Sequence, residues 1–365
     1  MDVELHRYYT KYLQSSEALN SLISVFAKFT REHIILEKVS LAGDEHVIGL
    51  LNLCHRITFF ASTRTLFGDI EPRLLEDDFT TFDANIHFFI ALLPTWIYPW
   101  LWRRELEARE RLNHSWLLYH RHPMNESEFI RHRATFICNH PEWFTESDFA
   151  GAQTAILWAS LGNTIPAIFW CLYYLLRNPI ALKTVREEIV SKLSCTNLSL
   201  NADELDIQGS KDALDQCIYL DSAVNETLRM VSTPMTLRKC SRTTKIALQD
   251  GRTFEVKQGD AIALFPAAAH RDPHFFEEPN VYKYDRFVHQ QVLTGFVPFG
   301  VGKSMCPGRF FARNAIKLCI AFVLRNIQCT FVDSTYPEPT QKVHRIGIGI
   351  APPTYDPPIR YRYVD

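Results

Sequence analysis

Residues 296–312 read FVPFGVGKSMCPGRFFA, a glycine-punctuated loop that leads through a cysteine into an apolar run. Pro307 suits the first position of a helix, where a backbone N–H is not needed. Cys306 would then stand where unpaired N–H groups and the positive end of the helix dipole favour a thiolate. A thiolate at this place is a good iron ligand. A cysteine beside a turn is also compatible with a buried structural thiol.

The residues around the cysteine favour a cofactor site. Gly300, Gly302 and Gly308 would let the backbone approach a flat cofactor closely, and Phe299 can shield the sulfur from water. The spacing F-x-x-G-x-x-x-C-x-G is satisfied at Phe299, Gly302, Cys306 and Gly308. This loop resembles the haem-binding loop of the cytochrome P450 family, and the resemblance extends over essentially the whole chain. It implies a b-type haem whose iron is held by Cys306.

The composition is that of a folded protein with a large core. The chain has 365 residues, 47% of them hydrophobic, and 39 basic residues against 41 acidic ones give a net charge of -2. No global field therefore favours a nucleic acid partner. Nine cysteines without metal-ligand spacing indicate a reducing compartment with mostly buried thiols. We expect one domain over residues 1–365.

Hydrophobic periodicity predicts a mainly α fold with a small C-terminal antiparallel β component. Apolar residues alternate with proline turns and arginines over 344–363, as in a small sheet. No run reaches the roughly 20 apolar residues of a spanning helix. Helices are predicted over 17–37, 46–67, 102–120, 145–177, 212–230 and 306–326.

A second motif lies upstream of the cysteine. Glu226 and Arg229 form an E-x-x-R pair whose side chains lie one turn apart on a helix. In the family that this chain resembles, the pair joins a later arginine, here Arg286, in a network that stabilises the core behind the haem. The resemblance also implies that Arg238 pairs with a haem propionate, and that residues 270–273 (HRDP) have a positional role.

The long helix contains LWASLGNTIP at 157–166, which aligns with the oxygen-activation segment of the family. Most members have an acid and a threonine where this chain has Gly162 and Asn163. Pro166 has no N–H, so the Gly162 carbonyl loses its helical partner and the helix should open there. The opened groove would expose Asn163, with Ser160 or Thr164, as the catalytic candidates near oxygen. A helix kinked only for packing is the alternative.

The same segment is similar to the branch that contains the cholesterol and oxysterol 7α-hydroxylases, the sterol 12α-hydroxylase and prostacyclin synthase. Residues 82–94 and 345–363 resemble that branch as well. By this resemblance, a rigid lipid such as a sterol would be held by apolar side chains at Leu157, Trp158, Val231, Met235, Ile346 and Ile348.

The resemblance implies electron transfer from an NADPH-dependent flavoprotein reductase, because the chain has no flavin or dinucleotide fingerprint. Lys303, Arg309, Arg313 and Lys317 form a basic patch around the cysteine that could dock such a partner. The alternatives are an isomerase of the synthase type, and a haem or lipid binder without catalysis.

The family's membrane anchor and first β-sheet are expected to be missing before residue 1. By analogy with relatives, the chain would work at the cytosolic face of the endoplasmic reticulum membrane. The apolar stretch 82–102 is then either core or a surface for peripheral membrane contact.

Overall fold

The computed structural model describes residues 2–41, 45–90, 94–193, 207–233, 235–248, 250–288, 294–345 and 347–364. Helices dominate, as predicted. The helices of the first half are α1 Asp2–Leu13, α2 Ser16–Leu41, α3 Leu50–Phe67, α4 Arg73–Ala84, α5 Ile86–Ile90, α6 Tyr98–Leu101, α7 Arg103–His120 and α8 Glu128–Cys138. Those of the second half are α9 Glu146–Leu161, α10 Thr164–Arg177, α11 Pro179–Leu193, α12 Ile207–Asp215, α13 Ile218–Val231, α14 Pro266–His270 and α15 Arg309–Asn326.

The predicted long helix is present but divided. Thr145 caps α9 with a capping box, in which the Asp148 N–H donates to the Thr145 hydroxyl oxygen and the Thr145 N–H donates to the Asp148 carboxylate. The helix ends at Leu161, and α10 begins at Thr164. Pro166 cannot donate to the Gly162 carbonyl, and Ala167 resumes the pattern by donating to the Asn163 carbonyl at 3.1 Å. The predicted opening at Gly162 is therefore confirmed.

Residues 146–177 are also long and apolar enough to cross a membrane by composition. Of that apolar window, 72% is buried inside the protein, so this stretch packs as a core helix pair. Phe169 and Trp170 lie at its centre with at most 1% exposure. The pair α9–α10 crosses the molecule between α3, α13 and α15, and brings its break close to the cysteine loop.

Two helix predictions were wrong. Residues 46–49 form strand β1 instead of the start of a helix, because they pair with the C-terminal strand. The helix predicted over 212–230 is two helices, α12 and α13. The new start at Ile218 is stabilised by Glu188, whose carboxylate accepts from the N–H groups of Tyr219 and Leu220 at 3.0 and 2.9 Å.

The strands are short and antiparallel. Strand β7 lies between β1 and β6, with His46 opposite Tyr361 and Cys329 opposite that same residue. The pairs β2–β5 and β3–β4 form two separate ribbons. Within the described part of the predicted C-terminal sheet, residues 358–363 form a strand and residues 343–345 form a 3-10 turn. The strands are β1 His46–Gly49, β2 Thr236–Lys239, β3 Thr244–Ala247, β4 Thr253–Val256, β5 Ala261–Leu264, β6 Ile327–Phe331 and β7 Pro358–Tyr363.

Candidate functional site

The cysteine loop is closed by its own backbone. The Cys306 N–H donates to the Phe299 carbonyl at 2.9 Å, and the Gln14 side chain donates to the Pro307 carbonyl at 3.3 Å. Gly300 and Gly302 have φ values of 74° and 68°, in the left-handed region that favours glycine. These contacts fix the sulfur relative to α15.

The helix starts later than its sequence predicted. Helix α15 begins at Arg309, and Pro307 lies in a turn before it. Burial raises the pKa of the Cys306 thiol above its ordinary value, while the Gly308 N–H and the Arg309 guanidinium oppose that rise. Burial therefore outweighs the two contacts that favour the thiolate. A coordinated metal ion would deprotonate the thiol.

Cys306 lines a cavity of about 180 Å³ between the loop and the broken helix. Across the cavity lie Ser160 and Thr164, two of the three catalytic candidates. The rest of the wall is mostly apolar and comprises Tyr9, Leu13, Leu66, Phe129, Ile156, Ala159, Pro307, Gly308, Phe311 and Ala312. A Cβ added at Gly308 would meet no atom within 4 Å, so open space adjoins the backbone two residues after the cysteine. A soft thiol beside an open apolar space fits a haem.

The third catalytic candidate is placed differently. The Asn163 amide oxygen accepts from the Ile350 N–H at 2.8 Å, and Asn163 is not among the residues that line the Cys306 cavity. The structure thus pairs the amide oxygen with the C-terminal loop, and the role of Asn163 near oxygen stays a prediction.

The structure brings the predicted Glu226, Arg229 and Arg286 network together. Glu226 accepts from Arg229 Nε at 2.8 Å and from Arg286 Nε at 2.9 Å. The side chains are 0%, 0% and 6% exposed, so the charges are almost wholly removed from water. Arg229 also donates to the carbonyls of His270 and Pro279 at 2.6 and 2.7 Å. The buried charges are thus satisfied by one another and by backbone.

His270 connects this network to the cysteine loop. Its Nε2 accepts from the Val297 N–H at 2.9 Å, while its carbonyl accepts from Arg229. The side chain is fully buried. Burial lowers the pKa of His270 to about 4, and the Arg229 and Arg271 charges act in the same direction. From the sequence, only a general positional role could be predicted for this histidine, because its acceptor function depends on a residue 27 positions away.

We expect His270 to make stability fall in mild acid. The folded pKa of about 4 lies below the ordinary 6.5, so the stabilisation is complete above about pH 6.5 and is lost as pH falls towards 4. Between pH 7 and pH 5 the wild type should lose about 2 kcal/mol of unfolding free energy through His270. His270→Gln should lack this loss, because a glutamine is a neutral acceptor at both pH values, and urea unfolding measures the difference. His122→Gln, at an exposed site, is the control. An unchanged pH slope in His270→Gln would contradict this assignment.

The other residues predicted to bind the cofactor or the substrate lie in several different environments. Arg238 is exposed and donates within its own strand, to Thr236 Oγ1 at 2.8 Å and to the Leu237 carbonyl at 2.9 Å. It does not line the Cys306 cavity. Leu157 and Val231 are fully buried core residues, and Ile348 packs against the same core. Ile346 lies outside the described residues.

Trp158 and Met235 have distinct surroundings. The Trp158 indole N–H donates to Asp83 Oδ1 at 2.7 Å, a contact that no periodicity signalled. The terminal methyl of Met235 lies 4.0 Å from the point where Gly347 would carry a Cβ. Met235 therefore adjoins the C-terminal loop, and its role in substrate binding stays a prediction.

The predicted basic patch is smaller than expected. Lys317 is 4% exposed and pairs with Asp221 at 3.2 Å and Asp215 at 3.5 Å. Arg313 pairs with the same Asp221. These two cations stabilise the contact of α15 with α12 and α13, so they are not free for a partner. Lys303 is exposed, and Arg309 lies over the Phe310 ring.

Comparisons with known proteins agree with this geometry. The family model described as "Cytochrome P450" matches residues 4–358. The chain is 32% identical over 337 residues to "Cytochrome P450 7A1" of Oryctolagus cuniculus, covering 86% of this chain and 66% of that protein. It is 33% identical to the "7-alpha-hydroxycholest-4-en-3-one 12-alpha-hydroxylase" of Homo sapiens, covering 87% and 66%. It is 27% identical to the "25-hydroxycholesterol 7-alpha-hydroxylase" of Rattus norvegicus, covering 98% and 89%.

The chain thus spans about two thirds (66%) of the length of the relatives that it matches first. Proteins of the matching family hold a haem iron through a cysteine thiolate. Three features of the structure agree with the family match, which covers almost every residue. They are the helical fold, the buried Glu226–Arg229–Arg286 network and the cysteine loop that faces a broken helix. The chain belongs to the cytochrome P450 family.

Proposed function

We propose that this chain is a haem-thiolate monooxygenase that hydroxylates a sterol or a similar lipid. The observation that carries the proposal is the cavity in which Cys306 faces Ser160 and Thr164 between apolar walls. Cys306 would hold the iron of a haem, with Phe299 and the glycines of the loop beside it. When bound, the haem supplies dioxygen activation for the hydroxylation of an unactivated C–H bond.

The chain's own residues then hold water and protons near this cavity. Ser160 Oγ donates its proton to the Leu157 carbonyl at 2.8 Å, so its lone pairs remain available as acceptors. Thr164 is 4% exposed on the same wall, one residue after the helix break. These hydroxyls are the proposed groups for positioning a proton donor. Asn163 shapes the site through its bond to Ile350.

A sterol is the proposed substrate class for two reasons. Two of the relatives quoted above are named for hydroxylation of cholesterol-type substrates. Apolar side chains of α9 and Ile348 pack in one core, the neighbouring Gly349 lies against Asn163 at the helix break, and the Met235 methyl adjoins Gly347 of the same loop. A rigid apolar ligand needs such walls and few polar partners.

Electrons would come from NADPH through a flavoprotein reductase. The exposed Lys303 and the half-buried Arg309 beside the cysteine are the cations proposed for its docking. Work at the cytosolic face of the endoplasmic reticulum membrane is proposed by analogy with the relatives.

The test is a reconstitution of the expressed chain with haem, reductase, NADPH and oxygen. We expect NADPH-dependent hydroxylation of cholesterol or 25-hydroxycholesterol, detected by mass spectrometry as the gain of one oxygen. Turnover of an endoperoxide without NADPH would instead support the isomerase alternative. Haem incorporation without either reaction would support a binder and overturn the proposed activity.

The surface around α6 supports the proposed contact with a membrane. Trp96 and Trp100 are 72% and 86% exposed, and Leu101 is 65% exposed. The sequence left this stretch open between core and membrane surface, and these three side chains are not core. Indole rings are well suited to the boundary between water and lipid. Tyr98 anchors the segment from the inside, with its hydroxyl on the Phe88 carbonyl at 3.2 Å.

We expect the double variant Trp96→Ala with Trp100→Ala to bind membranes about tenfold more weakly, because two indoles no longer enter the interface. Co-sedimentation with vesicles of phosphatidylcholine and phosphatidylserine measures the effect. Trp143→Ala is the control, since Trp143 is 53% exposed but stacks on His140 elsewhere on the surface. Equal binding by the double variant and the wild type would contradict a membrane role.

A further inference from the structure

Asp83, in α4, contacts two other segments at once. Its Oδ1 accepts from the Trp158 indole N–H at 2.7 Å and from Arg345 Nη2 at 2.9 Å. Its backbone carbonyl accepts from Arg345 Nη1. The Arg345 side chain is 5% exposed and that of Asp83 is 27% exposed. One carboxylate therefore joins α4, the end of α9 and the C-terminal loop.

The glycine at 162 makes this arrangement possible. A Cβ at Gly162 would lie 3.0 Å from the Trp158 Nε1 atom, so a side chain there would compete with the indole. In the family that this chain resembles, most members have an acid at this position. In this chain the indole fills that space, and the carboxylate beside the helix break belongs to Asp83. Asp83, Arg345, Gly162 and Pro166 line one cavity of about 220 Å³.

A second anchor lies on the same loop. The Ile350 N–H donates to Asn163 Oδ1 at 2.8 Å, and Gly349, with φ of 122°, approaches Asn163 so closely that a Cβ would clash. Two anchors therefore hold the C-terminal loop. In the first, Asp83 joins Trp158 to Arg345, and in the second, Asn163 accepts directly from the Ile350 N–H. They bracket the helix break on one side and residues 347–349 on the other.

We propose that Asp83 is a positioning residue that, through Arg345, holds residues 347–350 against the helix break and so sets the affinity for the lipid. The inference rests on the proposed function for the identity of the ligand. Asp83 acts through Trp158 and Arg345 and lines a different cavity from Cys306. Removal of its charge should loosen the loop that adjoins Met235 while the cysteine loop keeps its contacts.

The first experiment measures hydrogen exchange of the Ile348 and Ile350 amides in the full chain. Asp83→Asn keeps the size of the side chain and removes the charge that pairs with Arg345. We expect at least about a tenfold faster exchange at these two amides. Asp78→Asn is the matched control, because Asp78 lies in the same helix and pairs with the exposed Arg111 at 2.6 Å. Unchanged exchange in Asp83→Asn would overturn the proposal.

A double-mutant cycle separates the anchor from a general loss of folding. Arg345→Met should loosen the loop as Asp83→Asn does, and the double variant should be no looser than either single variant, because both remove the same contact. Effects that simply add would mean that the two residues act independently, against the proposal.

The second experiment measures equilibrium binding of radiolabelled cholesterol to the haem-loaded protein. Asp83→Asn should weaken binding about tenfold with an intact reduced carbon-monoxide spectrum. Equal affinity in variant and wild type would overturn the link to the ligand. If the wild type binds no cholesterol but the amides respond as expected, the anchor stands and the proposed sterol substrate fails.

Discussion

Cys306→Ser is expected to abolish the long-wavelength Soret band of the reduced, carbon-monoxide-bound protein. The band depends on a thiolate donor, and a serine hydroxyl at the same place is a hard and weakly ionised ligand. Hydroxylation should be lost with the band. The fold should survive with a change in unfolding free energy of about 1 kcal/mol or less, because the sulfur accepts a Gly308 N–H that an oxygen can also accept.

The matched control is Cys138→Ser, which changes an exposed cysteine in α8. Cys138 lies 3.4 Å from His120 Nε2 and is remote from the cavity that Cys306 lines. Absorption spectra of the two variants and the wild type, with circular dichroism to verify folding, decide the matter. A Cys306→Ser protein that keeps the band would remove Cys306 from the site.

The largest loss of stability is expected from Glu226→Ala. It leaves the guanidinium groups of Arg229 and Arg286 without their shared carboxylate, at 0% and 6% exposure. Breaking a buried ion pair in this way costs about 3–5 kcal/mol. Because a domain is typically stable by only about 5–15 kcal/mol, much of the protein should be unfolded or degraded at physiological temperature. Denaturant unfolding and the yield of folded protein measure the effect.

Glu187→Ala serves as its control. Glu187 pairs with Lys183 at 3.8 Å one turn apart in α11, and both side chains are more than 60% exposed. Exposed pairs of this kind contribute about 0–1 kcal/mol. If the two variants lost equal stability, the Glu226 network would have no special role in the fold.

Features encoded by a few neighbouring residues could be predicted from the sequence. Pro166 alone predicts the break between α9 and α10, because one missing N–H frees one carbonyl. Thr145 and Asp148 predict where α9 begins. The Glu226–Arg229 contact follows from helical spacing, although its burial does not.

Features that depend on distant partners could not be predicted. Strand β1 has a helical pattern, and only its pairing with 358–361 makes it a strand. Lys317 has the spacing of an exposed stripe, but Asp215 and Asp221 draw it into the interior. The N–H group that donates to the Asn163 amide oxygen belongs to Ile350, which lies 187 positions later in the chain. Sequence spacing carries no information on which side chain such a backbone group will meet.

Because of its strand order, the three-stranded sheet can form only late in the synthesis of the chain. The middle position belongs to β7, so β1 and β6 have no contact within this sheet until residues 358–363 exist. At about 5–20 residues per second, a ribosome needs on the order of tens of seconds to pass from β1 to β7. Over that interval the edge of β1 is open to other chains. We therefore expect products that terminate before residue 358 to engage chaperones or aggregate.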